Sequence, residues 1–116
     1  MKPLMIVLDD REGRIAASPV WRQIEGRVDI HFFNGNEMMD PVIRENVLII
    51  MALRERTVID EKFLLRFPRM QLILQTGGHA YHIDLLAAKR SGVAIVLGRG
   101  AKIGIRTYFR DRLLYF

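Results

Sequence analysis

The sequence predicts an α/β domain on a parallel sheet, and three observations carry that expectation. Five short apolar runs alternate with amphipathic or capped segments. The runs at residues 4–8 and 47–53 are apolar on both faces, as strands buried in a parallel sheet are. Helix-sized segments fill the short connections between runs, which forces right-handed parallel crossovers. With 116 residues, half of them hydrophobic, one compact domain can bury roughly two-thirds of its unfolded surface.

Residues 4–8 form a buried first strand, closed by Asp9-Asp10. Ser18-Pro19 starts a helix: the hydroxyl accepts from orphan amides, and proline at the first position loses no needed donor. That helix carries Val20, Trp21 and Ile24 inward and stops at Gly26. Val28, Ile30 and Phe32 alternate with Asp29 and His31 in a second strand near the sheet edge, with His31 in solvent. Asp40-Pro41 starts a short helix to about Glu45, which Asn46 closes. Residues 47–53 are the third, central strand. Asp60 caps a helix through Phe67, and Pro68 prevents its continuation.

Residues 72–74 form the fourth strand, ending at Thr76-Gly77-Gly78. A helix over 84–90 offers Leu85, Leu86 and Ala88 to the core, and Ser91-Gly92 ends it. Residues 93–97 are the fifth strand. The expected layout is a flavodoxin-like three-layer fold, a five-stranded parallel sheet in the order 2-1-3-4-5 with helices on both faces. It occupies residues 1–100, and residues 101–116 are a basic, apolar tail.

Composition excludes several classes. Without cysteine there is no disulfide framework, zinc ribbon or cysteine nucleophile. The longest apolar run, residues 47–53, falls far short of the ~20 residues a membrane-spanning helix needs. The opening apolar stretch meets Asp9-Asp10 too soon for a signal peptide, so no membrane partner and a cytoplasmic location are expected. The net charge of +5 invites a nucleic-acid reading, but its placement argues against one. Arg99, Lys102, Arg106, Arg110 and Arg112 face Asp111 alone in the last 18 residues, whereas residues 1–98 are close to balance. A nucleic-acid surface spreads its cations over a folded face and adds stacking aromatics.

In open parallel sheets ligands bind beyond the carboxyl ends of the strands. Gly77-Gly78 permits backbone angles that let successive amides converge on an anion. Arg54 or Arg56, one strand away, can bring a planar guanidinium to the same anion, suited to carboxylate or phosphate. The alternative is a plain tight turn, with the arginines paired to Glu55, Asp60 or Glu61. His79 is the one histidine placed to touch a ligand. His79, His82 and Asp84 invite a metal, but they straddle a loop-to-helix junction without a further ligand, so no metal site is expected and His82 or Asp84 reads as a cap. Gly98-Arg99-Gly100 with Gly104 spaces its third glycine one position too late for a dinucleotide fingerprint. Asp9-Asp10 matches a phosphorelay receiver at the first strand, yet Arg54 and Arg99 stand near the third and fifth strand ends, where a receiver needs Asp and Lys.

Several of these residues fall into a larger pattern. Arg54 with Thr57, Phe67-Pro68, Thr76-Gly77, Ile83-Asp84, Ala87-Ala88 and Gly92-Val93, with the opening MIVLDD and Trp21, resemble the substrate-binding domain of NAD-dependent D-isomer-specific 2-hydroxyacid dehydrogenases, the D-3-phosphoglycerate dehydrogenase-like group. The resemblance covers about residues 3 to 100. One departure is the loop Gly77-Gly78-His79-Ala80-Tyr81-His82, where many members have Gly-x-Gly-x-Asp-Asn.

The resemblance implies an oxidoreductase that moves hydride between nicotinamide and a 2-hydroxy or 2-keto acid. Carried over by position, Arg54, Gly77, Gly78 and His79 bind the substrate carboxylate. In that family the NAD-binding domain, with its catalytic His–Glu/Asp pair, lies after residue 100. The chain is therefore expected to bind no cofactor itself, NAD belonging to the full-length enzyme, and to turn over no substrate unaided. Its expected partners are a weakly held 2-hydroxy or 2-keto acid and further copies of itself. The alternative is a non-catalytic interaction or assembly domain that keeps the fold. In the tail, Ile105, Phe109, Leu113 and Phe116 fall at helical spacing. A helix and the divergent end of a once longer gene are both compatible with it.

Overall fold

The computed structural model describes residues 2–35, 40–53, 56–76, 80–98, 105–109 and 112–115. Five parallel strands lie in the order β2-β1-β3-β4-β5: β1 (Leu4–Val7), β2 (Asp29–Phe32), β3 (Val47–Leu53), β4 (Leu72–Thr76) and β5 (Ala94–Gly98). This is the expected flavodoxin-like arrangement. Two further strands, β6 (Ile105–Phe109) and β7 (Arg112–Tyr115), extend it antiparallel beyond β5, giving seven strands among the described residues.

β6 and β7 correct the helical expectation for the tail. Ile105, Thr107, Tyr108 and Phe109 are β-branched or aromatic and suit a pleated surface. The edge of β5 offers backbone groups that a helix would leave unpaired. Pairing of Ile95 with Tyr108 and of Leu97 with Arg106 satisfies that edge.

Alternation along the strands divides the core in two. Ile6, Ile50, Ile73 and Ile95 face one side, with Ile73 in register between Ile50 and Ile95, and each is at most 1% exposed. Burying each such side chain contributes about 2–3 kcal/mol. Helices α1 (Pro41–Asn46), α2 (Glu61–Leu65) and α3 (Leu85–Arg90) cover this face through Ile43, Phe63, Leu64, Ala87 and Ala88. The opposite face centres on Met5, Val7 and Leu53, packed by Ile15 and Trp21.

The segment expected as a helix from Ser18 is a five-residue 3-10 helix, Pro19–Gln23, followed by turns. Its surroundings hold it short. Asp10 takes the amides of Ile15 and Ala16, and the Trp21 indole donates to the Ile15 carbonyl while its ring meets Phe32 edge-on at 5.6 Å. The α-helices start as expected: Asp40, Asp60 and Asp84 accept from Val42, Phe63 and Ala87 amides at 2.8, 2.9 and 3.0 Å. α2 ends at Leu65, two residues before the expected Phe67.

Candidate functional site at the strand ends

The sheet order makes β1 the switch point, because the chain leaves it for β2 on one side and returns to β3 on the other. Beyond the carboxyl ends of β1, β3 and β4 lies a cleft of about 350 Å3, lined by Asp10, Glu12, Arg14, Ile15, Leu53, Arg56 and Thr76.

Asp9 and Asp10 are buried, at 2% and 3% exposure, and both brace the loop after β1. Asp9 adopts a φ of 61°, a left-handed conformation that Asp tolerates better than most residues. Its amide donates to the Gly35 carbonyl at 2.9 Å, and its carboxylate accepts from the Thr57 hydroxyl. The Asp10 amide donates to the Phe33 carbonyl at 2.9 Å, and its carboxylate holds the Ile15 and Ala16 amides at 3.1 and 2.9 Å. Both carboxylates are therefore engaged, Asp9 by a side-chain hydroxyl and Asp10 by backbone amides, rather than open to the cleft.

Arg56 supplies the positive charge of the cleft. Its Nη1 donates to the Asp9 carbonyl at 2.6 Å, and Nη1 and Nη2 face the two Glu12 oxygens at 3.3 and 3.2 Å. The Arg56 hydrogen bond holds the Glu12 carboxyl below the usual glutamate range, helped by Glu12's own backbone amide and by the charges of Arg56 and Arg14. The sequence offered Glu55, Asp60 and Glu61 as partners for the arginines. Instead Arg56 pairs with Glu12, Asp60 caps α2, and Glu61 stands 4.0 Å from Arg90.

Arg54, Gly77, Gly78 and His79, the expected carboxylate-binding residues, lie outside the described residues, as does Glu55. Their flanks make defined contacts. Thr76 ends β4 and donates to the Ala52 carbonyl at 3.4 Å. The buried Gln75 side chain accepts from His82 Nε2 at 2.9 Å. Past the loop, Ile59 and Ile83 form a parallel bridge, with the Ile59 amide on the His82 carbonyl and the Asp84 amide on the Ile59 carbonyl. Asp84 caps α3, as the sequence indicated, whereas His82 serves Gln75. His31 is exposed and 3.5 Å from Asp29. Among the described residues no group of three His, Asp or Glu side chains is arranged to hold a metal, and no helix is long and apolar enough to cross a membrane.

Sequence reading missed the Asp9–Thr57 and Glu12–Arg56 contacts. Both join segments more than 40 residues apart, 48 and 44 respectively. The strand order, which places the end of β1 beside β3, was the one signal that could have found them.

NAD, which the resemblance implies for the full enzyme, does not fit the loop after β1. A dinucleotide pyrophosphate takes backbone amides at a glycine-rich turn opening a helix. Here the Asp9, Asp10, Ile15 and Ala16 amides are already engaged, two buried carboxylates occupy the turn, and Pro19 opens only a 3-10 helix.

No protein-family model and no curated protein matches the sequence. Solved structures do, and those at 25% identity or more are phosphoglycerate dehydrogenases or oxidoreductases. A protein assigned as D-3-phosphoglycerate dehydrogenase from Ralstonia solanacearum is 25% identical with a TM-score of 0.72 over 88% of this chain. Phosphoglycerate oxidoreductase from Vibrio cholerae is 27% identical with a TM-score of 0.69 over 87%. D-Lactate dehydrogenase from Aquifex aeolicus, solved with NAD and lactic acid, is 15% identical with a TM-score of 0.67 over 85%, and this last likeness concerns the fold alone. The chain spans about a third of these proteins, covering 31%, 32% and 28% of their lengths.

Proposed function

We propose that the chain is the substrate-binding domain of a D-2-hydroxyacid dehydrogenase, an oxidoreductase whose hydride carrier is NAD. Its own part is to hold the carboxylate of a small 2-hydroxy or 2-keto acid. The observation that carries this reading is the cleft at the ends of β1, β3 and β4, where Arg56 and Thr76 flank the segments bearing Arg54 and Gly77-Gly78-His79. A guanidinium beside a glycine turn is suited to a planar carboxylate. The engaged amides after β1 favour a substrate domain over a dinucleotide domain. Hydride transfer needs a bound nicotinamide and a general acid/base, so the chain alone is expected to bind and not to turn over. A soluble, cytoplasmic setting accords with this role.

Titration of the 116-residue chain with pyruvate, followed by backbone amide shifts, tests the reading. Shifts confined to the cleft lining (Glu12, Arg14, Leu53, Arg56, Thr76), to Thr57 and to residues 77–79 are expected. No response at millimolar ligand, or a response elsewhere in the sheet, would overturn it.

A second reading, an assembly domain that keeps the fold, draws support from exposed apolar side chains on the helical face. Val42, Leu65 and Leu86 are each about two-thirds or more exposed, at 67%, 75% and 66%. Self-association is compatible with either role. A monomer by sedimentation at all concentrations would remove the assembly reading.

A further inference from the structure

Glu12 has no part in the carboxylate-binding role just proposed, yet it lies in the same cleft with its carboxylate on Arg56, a guanidinium among the described residues there that can meet a ligand carboxylate. The contact is two-pronged, with Glu12 Oε1 and Oε2 at 3.2 and 3.3 Å from separate Arg56 nitrogens. A bound acid would make the same fork-to-fork contact.

We propose that Glu12 is a resident competitor for the ligand carboxylate, holding Arg56 until an incoming acid displaces it and so setting the affinity of the cleft. The proposal rests on the function proposed above. Three features of the site argue for displacement of Glu12 rather than of Arg56.

Arg56 is anchored. Its Nη1 is held by the Asp9 carbonyl at 2.6 Å, and the Asp9 carboxylate is itself tied to Thr57. Only 25% of the Arg56 side chain is exposed, against 51% of Glu12. The guanidinium therefore stays in place and the glutamate moves.

The exchange also conserves charge. One carboxylate replaces another on Arg56, and the displaced Glu12 remains near Arg14, which lines the same cleft and whose charge already acts on it. Asp10, the other acid in the lining, is committed to the Ile15 and Ala16 amides and does not compete. The cost of entry is one half-exposed ion pair, a modest quantity. An acid that offers only its carboxylate gains little by displacing Glu12. One that adds an adjacent keto or hydroxyl oxygen gains a further hydrogen bond, while the competition with Glu12 weakens both acids by the same factor.

The test titrates pyruvate into the wild-type chain and the Glu12→Gln variant, reading backbone amide shifts and, in the wild type, the Glu12 carboxyl carbon. Glu12→Gln is expected to bind pyruvate about 2–5-fold more tightly, the range a half-exposed ion pair supports. The wild-type Glu12 carboxyl signal is expected to move on binding toward its position in an Arg56→Gln variant. Acetate, lacking the second oxygen, is expected to gain by the same factor in Glu12→Gln. Equal pyruvate affinity in the two proteins, or a Glu12 signal unmoved at saturation, overturns the competition while leaving the carboxylate-binding role intact. Absence of pyruvate-dependent shifts in both proteins overturns that role, and the competition with it.

Discussion

The Thr57 hydroxyl donates to the Asp9 carboxylate, joining the segment after β3 to the end of β1 where both are buried. Asp9 is 2% exposed and Thr57 4%, so water is a poor substitute for either partner. The same aspartate anchors Arg56 through its carbonyl. One buried contact thus sets both the loop after β1 and the guanidinium of the cleft.

Replacing Thr57 by Val keeps the shape and removes the donor. A buried acceptor left short of a partner costs about 1–3 kcal/mol, and urea unfolding should show a loss in that range. Thr57→Ser retains the hydroxyl and should lose less. Asp9→Asn should be milder than Asp9→Ala, since Asn keeps an acceptor oxygen and tolerates the left-handed backbone at φ 61°. Equal losses for Val and Ser at position 57 would show that the hydroxyl contributes nothing.

Ile73 sits in register between Ile50 and Ile95 and is fully buried. Ile73→Ala removes methyl groups from the helical face of the core at a place where three strands hold the backbone rigid. The expected loss is about 2–5 kcal/mol, read as an earlier denaturant midpoint at unchanged slope. A loss below that range would mean that the helices collapse into the space.

Most of this core was legible because its signals are local. Asp40-Pro41 and Asn46 bracket α1, and the run Val47–Leu53, apolar on both faces, became β3 with those limits. β4 was read too short because Gln75 and Thr76 look like loop residues. They belong to the strand because His82 satisfies the buried Gln75 amide and Ala52 accepts from Thr76. In the tail, Ile105, Thr107 and Phe109 fit a period of two, while Ile105 and Phe109 also fit a helical turn. The long-range edge of β5, invisible to local spacing, decides between them. The cleft was legible as a location, since strand ends and glycines mark it. The partner of Arg56 was not, because Glu12 becomes its neighbour only once β1 and β3 lie side by side.

Asp84 closes the loop that leads from β4 to α3, and its carboxylate accepts from the Ala87 amide at 3.0 Å. α3 has only six residues, so a lost cap weighs heavily on it. Asp84→Ala should cost about 1 kcal/mol and raise amide exchange along α3. Asp84→Asn, which keeps the acceptor, should restore most of the protection. Unchanged exchange in Asp84→Ala would mean that packing of Ala87 and Ala88 alone holds the helix.

The Glu12–Arg56 pair carries a pH signature whose direction follows from the lowered Glu12 pKa. Facing Glu12 in the cleft are Arg56 from beyond β3 and Arg14 from its own loop, with Asp10 also in the lining. A carboxyl depressed in the folded state contributes stability above its unfolded pKa and loses it as the pH falls through the folded one. The ion pair is therefore intact at neutral pH and dissolves on acidification through and below the ordinary glutamate range. Pyruvate is a stronger acid than a glutamate side chain and stays ionised across most of that window. Its affinity for the wild-type chain should therefore rise as the pH falls and Glu12 releases Arg56, whereas Glu12→Gln should show no such rise. Calorimetric or amide-shift titrations at stepped pH would read both curves. Parallel curves in the two proteins would place the proton on some group other than Glu12.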